Sequence, residues 1–219
     1  MSTSIIHPSV GPSCLVRLDN ISVELGGVDV LDGITLGVRP GEKIALAGRN
    51  GSGKSTLLGV IAGTQDHRRG SVRRRGRVAF VVQRSAVPNT LPVTVRDAVT
   101  MGRWAVRGAW RRLTKEDHSV VNSRIQQLGL DGLENRPLGE LSGGQRQRAL
   151  VAQGLAQSAD ILLLDEPTAG LDDDARELIE LAIEGEIARG VAVIHATHDD
   201  AVMRAADRVV RLREGVFVE

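Results

Sequence analysis

A chain of 219 residues with 42% hydrophobic side chains is long enough to bury one sizeable core and lies near the upper end of single-domain lengths. Its 28 basic side chains face 27 acidic ones, and the resulting formal charge of +1 excludes a global field that would draw the whole molecule to nucleic acid or anionic lipid. The single cysteine, Cys14, excludes an internal disulfide and fits a reducing compartment.

Met1 to Ser13 is polar and contains Pro8, Gly11 and Pro12, with neither the basic start nor the apolar run of a secretory leader, so a loose tail is expected there. From Leu15 to Val38, short alternating segments separated by Asp-Asn and Gly-rich turns predict a small antiparallel sheet. Lys43 to Ala47 reads as a short buried strand, a glycine loop follows at once, and Leu57, Leu58, Val60 and Ile61 give a helical pattern that stops at Gly63. The arginine-rich run from Arg68 to Arg77 reads as a solvated hairpin, because it lacks the interleaved aromatics that stack on bases. Val78 to Val82 is a fully apolar strand of the kind found inside a covered sheet, and Gln83 stands at its end.

Between Arg84 and Glu140 the strand signals give way to amphipathic helical segments around Val95 to Met101 and Glu116 to Leu128, which predict an inserted helical subdomain. Strands return at Ile161 to Asp165, Val191 to His195 and Arg208 to Leu212. This alternation predicts an α/β fold with a mainly parallel sheet covered by helices on both faces. The longest apolar stretches, such as Ile161 to Leu164, fall far short of the roughly 20 residues that cross a bilayer, so a membrane role requires a partner chain.

Two stretches carry chemistry. Gly48-Arg49-Asn50-Gly51-Ser52-Gly53-Lys54-Ser55, with Thr56 just beyond, fits G-x-x-x-x-G-K-[ST] between a strand and a helix. Glycines there let backbone N–H groups curl toward a phosphate, the helix start adds its positive dipole end, Lys54 supplies a point charge and the Ser55 hydroxyl suits Mg2+. Ile161 to Glu166 is a buried strand that delivers Asp165 and Glu166 at its carboxyl end, where open α/β sheets place ligands. Asp165 is the candidate Mg2+ holder and Glu166 the candidate base for an attacking water.

Leu141-Ser142-Gly143-Gly144-Gln145, standing shortly before that strand, joins these motifs into an order and spacing that resembles the ATP-binding-cassette ATPases over essentially the whole chain from Cys14 onward. The resemblance implies a P-loop NTPase (RecA-like) core with an N-terminal antiparallel β subdomain and an inserted helical subdomain at about 84–140, all within one nucleotide-binding domain, 14–219. It implies ATP and Mg2+ as cofactors and a head-to-tail homodimer in which Ser142, Gly143, Gly144 and Gln145 meet the γ-phosphate of ATP held by the other copy. By the same resemblance Gln83 senses Mg2+ and the attacking water, His198 in Ala196-Thr197-His198-Asp199 contacts the γ-phosphate, and Asp172 in Ala169-Gly170-Leu171-Asp172 is the polar contact of a loop crossing the dimer interface. His195 is expected to be buried on its strand; a metal pair with His198 is rejected for want of a third ligand close in sequence. The family's usual adenine-stacking aromatic is replaced by Leu25, which leaves Leu25 or Val30 to carry the base and predicts loose base selectivity.

The segment Val82-Gln83-Arg84-Ser85-Ala86-Val87 followed by Leu91 to Arg103 is similar to the ATPases of zinc and manganese uptake systems, and in part to those of haem and siderophore importers. That implies a cytoplasmic ATPase bound to the inner face of the membrane through a permease subunit, with a periplasmic or extracellular substrate-binding protein as an indirect partner and no nucleic acid. Trp104 and Trp110, set among Arg103, Arg107, Arg111 and Arg112, either pack locally on their own helices or form the docking surface for that permease; the arginine-rich setting favours docking. The competing expectation is a non-transport cassette acting on DNA or ribosomes, which usually carries two cassettes, a coiled-coil insertion or zinc motifs.

Overall fold

The computed structural model describes residues 14–83, 92–108 and 110–218. The expected tail at 1–13 and the stretch from Arg84 to Leu91, with which the expected helical insert begins, lie outside the described residues.

Strands β1 (Val16–Leu25) and β2 (Val28–Val38) form an antiparallel hairpin. Its two-residue turn, Gly26-Gly27, has φ values of 58° and 81°, the positive angles of a type I′ turn that matches strand twist. The buried residues Val16 and Leu18 are followed by Ile21 and Val23, an odd step that would place the second pair on the opposite face. A register shift between Leu18 and Ile21, with Asn20 at φ 52°, takes up the extra residue as a bulge. The arginine run expected as a solvated hairpin instead supplies β4 (Arg69–Arg74), the third strand, antiparallel to β1 with Val72 opposite Leu18. Arg74 from this strand donates to the carbonyls of Val60 and Ile61 at 2.6 Å each, satisfying the last turn of α1 (Lys54–Ala62).

A second sheet has six strands: β3 (Lys43–Ala47), β5 (Val78–Val81), β6 (Ile161–Asp165), β7 (Ala192–Thr197), β8 (Arg208–Arg213) and β9 (Val216–Val218), in the order β5-β6-β7-β3-β8-β9. All neighbours are parallel except β8 and β9. The apolar run Ile161 to Leu164 works on both faces at once: Ile161 and Leu163 join the core formed with α1 and the antiparallel sheet, while Leu162 and Leu164 join the core beneath the helices. Helices therefore lie on both faces as expected, α1 on one, where the three-stranded sheet joins it, and the later helices on the other. β5, expected inside the sheet, is its edge strand, with Val78 and Phe80 half-buried.

The helical part comprises α2 (Val95–Arg107), α3 (Lys115–Gln127), a single 3-10 turn (Leu138–Glu140) and α4 (Gly143–Ala156); α5 (Asp173–Ala188) and the short α6 (Asp200–Arg204) belong to the sheet half. A Cβ at Gly102 of α2 would collide with the carbonyl oxygen of Gln153 in α4, so these two helices pack backbone against backbone. Capping boxes start α2, through Thr94 and Asp97, and α3, through Thr114 and Asp117. Asp117 is fully buried and also pairs with Arg103 at 2.8 Å and Arg107 at 3.0 Å, while Arg103 reaches the carbonyl of Ala156 at 2.8 Å. Arg103 is thus an internal strut and not part of a docking face, which corrects the sequence expectation. The Thr114 backbone N–H and the Arg103 guanidinium hold the Asp117 carboxyl well below the usual carboxylate range against the opposing effect of burial. Asp117→Asn strands the buried Arg103 charge, so a loss of about 3 kcal/mol and a Tm lower by about 6–12 °C is expected in a thermal melt.

Candidate active site

β3 delivers the chain into the loop 48–53 and α1 receives it, so the glycine loop stands at the carboxyl end of a central strand. Two glycines are dictated by contact. A Cβ on Gly48 would strike the carbonyl oxygen of Leu212 in β8, and a Cβ on Gly53, at φ 104°, would lie 2.8 Å from Leu31 Cδ2 and 2.9 Å from the Val30 carbonyl. Gly53 is also the N-cap of α1 and supplies no side-chain cap, so the first N–H groups of the helix face the loop without an internal acceptor. Lys54 Nζ donates to the carbonyls of Gly48 at 2.9 Å and Arg49 at 3.2 Å and lies 3.4 Å from Glu166 Oε1, which holds the ammonium at the mouth of the loop.

β6 ends with Asp165 beside this loop. Burial raises the Asp165 pKa and the Glu166 charge adds to that, against the lowering effects of the Ser55 hydroxyl and the Lys54 charge. Glu166 has φ 48°, in the left-handed region that costs a non-glycine residue energy, and its N–H donates to the carbonyl of Ala196 in β7 at 3.1 Å. That turn aims the Glu166 carboxylate between Lys54 and His198, whose Nδ1 is 3.8 Å away. His198 itself is 67% exposed at the end of β7, where the Thr197 hydroxyl accepts from the Asp199 N–H at 2.9 Å and fixes the turn.

Val30, Asn50, Gly51, Gly53, Lys54, Ser55, Thr56, Gln83, Asp165 and Glu166 line a common cavity of about 350 Å3. On the other flank of the loop, Gly48 to Ser52 share a larger cavity of about 790 Å3 with His198 and with Arg211 of β8. One hydroxyl, one amide and one buried carboxylate, from Ser55, Gln83 and Asp165, form a hard oxygen donor set, and two adjacent acids beside Lys54 suit a divalent cation such as Mg2+.

The remaining predicted residues lie elsewhere. Leu25 ends β1 and is 41% exposed, so Val30 is the one of the two adenine candidates that lies on the cavity wall. Ser142 caps α4 in a capping box, its Oγ accepting from the Gln145 N–H at 3.2 Å while Gln145 Oε1 accepts from the Ser142 N–H at 3.0 Å. Asp172 caps α5 by accepting from the Ala175 N–H at 2.8 Å, and a Cβ on Gly144 would lie 3.9 Å from Asp172 Oδ2. Ser142, Gly143 and Asp172 are exposed. The candidates therefore form two groups in one chain, a loop group around Lys54 and a surface group where the α4 and α5 starts meet. Leu212 and Arg211, which back and flank the loop, went unrecognised in the sequence because no short-range pattern links β8 to a loop more than 150 residues earlier.

Comparison with known proteins identifies the family. The ABC transporter family profile matches residues 31–169. The hemin import ATP-binding protein HmuV of Streptomyces coelicolor is 39% identical over 95% of this chain and 78% of its own length. The manganese transport system ATP-binding protein MntB of Halalkalibacterium halodurans is 34% identical over 91% of this chain and 83% of its own. Among solved structures, a dimeric bacterial ABC transporter cassette superposes with a TM-score of 0.82 at 25% identity, covering 93% of this chain and 97% of that one. The fold is thus the P-loop NTPase cassette, and this chain belongs to the ABC transporter family as an ATP-binding subunit whose ATP hydrolysis is coupled to transport.

Proposed function

We propose that this chain energises uptake of a metal ion, zinc or manganese, through a separate membrane permease. The metal cargo rests on the likeness to the manganese transport subunit, and the ATPase part of the reading on the division of the site: the loop group and the surface group each have the chemistry of half a nucleotide site, and they stand apart in one chain. Two copies arranged head to tail complete both halves. Lys54 and the open N–H groups of α1 hold the outer phosphates, and Val30, assisted by Leu25, receives the base. Mg2+ held by Ser55, Gln83 and Asp165 would neutralise charge developing on the phosphate oxygens. Glu166 takes the proton of the attacking water, and His198 and the partner's signature residues contact the γ-phosphate.

The permease is placed on the face of α2. There a groove of about 320 Å3 is lined by Val81, Val93, Met101, Leu150 and Gln157 among others, Trp104 on the helix is 37% exposed, and Trp110, beyond the helix end, is fully exposed. No described helix is long and apolar enough to cross a membrane, so attachment to the inner face of the membrane is assigned to the permease, with a substrate-binding protein on the far side. Co-purification tests the assignment: recovery of a membrane protein supports it, and recovery only of nucleic acid or ribosomes overturns it. The 39% identity to the hemin importer subunit favours a second reading, in which the cargo is an iron chelate. Uptake assays with manganese, zinc and hemin in cells lacking this chain decide between the two.

Aliphatic walls recognise the base by contact area and lack the stacking geometry of an aromatic ring. Contact area alone does not tell adenine from guanine, so GTP turnover within about tenfold of ATP turnover is expected, a difference of at most about 1.4 kcal/mol; strict ATP preference in a side-by-side assay would count against Leu25 and Val30 as the base platform.

A further inference from the structure

A second set of polar side chains lies away from the loop, between the sheet and α5. Lys43 opens β3 at 5% exposure, His195 lies in β7 at 0%, and Glu180 projects from α5 with its side chain 22% exposed. Lys43 Nζ is 3.5 Å from Glu180 Oε2, and His195 Nδ1 is 3.9 Å from Glu180 Oε1. Glu180 Oε1 and both ring nitrogens of His195 are buried with no hydrogen-bond partner. On this side of the sheet Ile179 and Ile183 of α5, Leu164 of β6 and Val193 of β7 belong to one apolar core, and the Asp199 and Glu184 carboxylates are the other charges that act on the trio.

Polar groups left unpaired in such a core destabilise it, and apolar residues of similar size pack there at least as well. Packing therefore does not explain the trio, whereas its position relative to the site does. Lys43 begins the strand that runs directly into Gly48. His195 stands three residues before His198 and next to Ala196, whose carbonyl receives the Glu166 N–H. Glu180 lies two helical turns beyond Asp172, the cap of α5, which adjoins Gly144 at the start of α4. One carboxylate thus faces the roots of both strands that carry the loop group, from the helix whose start belongs to the surface group. Glu180 accepts from Lys43 Nζ at 3.5 Å, the long limit of a hydrogen bond, and its 3.9 Å separation from His195 Nδ1 exceeds hydrogen-bond length by roughly 1 Å, a gap that a small shift of α5 closes.

We propose that Glu180 is a positioning residue for ATP hydrolysis, acting through Lys43 and His195 to set the Asp172 turn of α5 relative to the loop 48–55 and His198. The inference rests on the two-copy site proposed above. Burial keeps His195 neutral, its pKa pushed down to about 3 with the Lys43 charge adding to the effect, so the imidazole acts as a hydrogen-bond donor or acceptor and not as a cation.

The test separates this role from a structural one. His195→Val removes two unpaired buried nitrogens and leaves no charge without a partner, so its Tm is expected to equal or exceed that of the parent. Its KM for ATP is expected to stay within twofold and its kcat to fall about fivefold to tenfold. The double variant Lys43→Met/Glu180→Leu removes the buried ion pair whole and is expected to keep its Tm while showing the same fall in kcat. Parental kcat in a folded His195→Val protein overturns the proposal, as does a lowered Tm with activity lost in proportion to unfolding; if the double variant does not fold, His195→Val decides alone. Glu166→Gln assayed beside them keeps the two readings apart. An inactive Glu166→Gln with a fully active His195→Val removes only the Glu180 role, and an active Glu166→Gln removes the site on which it rests.

Discussion

Glu166→Gln is expected to lower ATP turnover by about 100-fold to 10,000-fold, the usual contribution of a positioned general base, while leaving ATP binding intact. The substitution keeps side-chain length, and nothing in the left-handed turn at φ 48° distinguishes glutamate from glutamine. Lys54 retains its bonds to the carbonyls of Gly48 and Arg49, so the phosphate cradle does not depend on the lost charge. Removing one of two adjacent acids also relieves the repulsion that adds to the raised Asp165 pKa. Nucleotide should therefore bind, close two copies together and remain uncleaved. Phosphate release read against ATP-dependent dimer formation by gel filtration checks this, and turnover within tenfold of the parent would remove Glu166 from the role of base.

The parts of this site that the sequence displays are those built from neighbours in the chain. The loop 48–55 announces itself because its glycines, lysine and serine act within eight residues, and Asp165-Glu166 because a buried strand ends in two acids. Ser142 to Gln145 is also legible because it is a run of neighbours, and in the fold those neighbours form the capping box that starts α4. What the sequence hides is contact between distant elements. The arginines of β4 suggest solvent, yet Val72 pairs with Leu18 and Arg74 reaches back to α1, which only three-dimensional pairing reveals. Arg103 belongs by composition with the surface arginines around Trp104, but Asp117 draws it inside. His195 looks like any core position of a strand, and its link to Glu180 and Lys43 needs three elements to converge. Val30 and Leu25 were equivalent candidates until the hairpin placed one on the cavity wall and the other near its turn.

Ser142→Arg tests the claim that each site is shared. Ser142 is exposed and is not on the wall of the cavity that holds Lys54, so within one chain the substitution leaves the loop group untouched. Loss of the cap costs about 1 kcal/mol, which lowers Tm by only about 2–4 °C in a protein of this size and cannot unfold it. Ser142→Ala suffers the same loss of the cap without adding bulk or charge, and so isolates that contribution. If the α4 start meets ATP on a second copy, an arginine there spoils the γ-phosphate contact at the one site it faces: turnover should fall at least about 100-fold, as it does when an essential preorganised donor to the transition state is removed, while the Kd of the monomer for ATP stays unchanged. Mixing Ser142→Arg with Lys54→Ala then restores activity, because a mixed pair contains one intact loop facing one intact signature. Turnover that survives in Ser142→Arg, or a mixture as inactive as its components, would mean that the half-site at Lys54 is not completed by the signature of another chain.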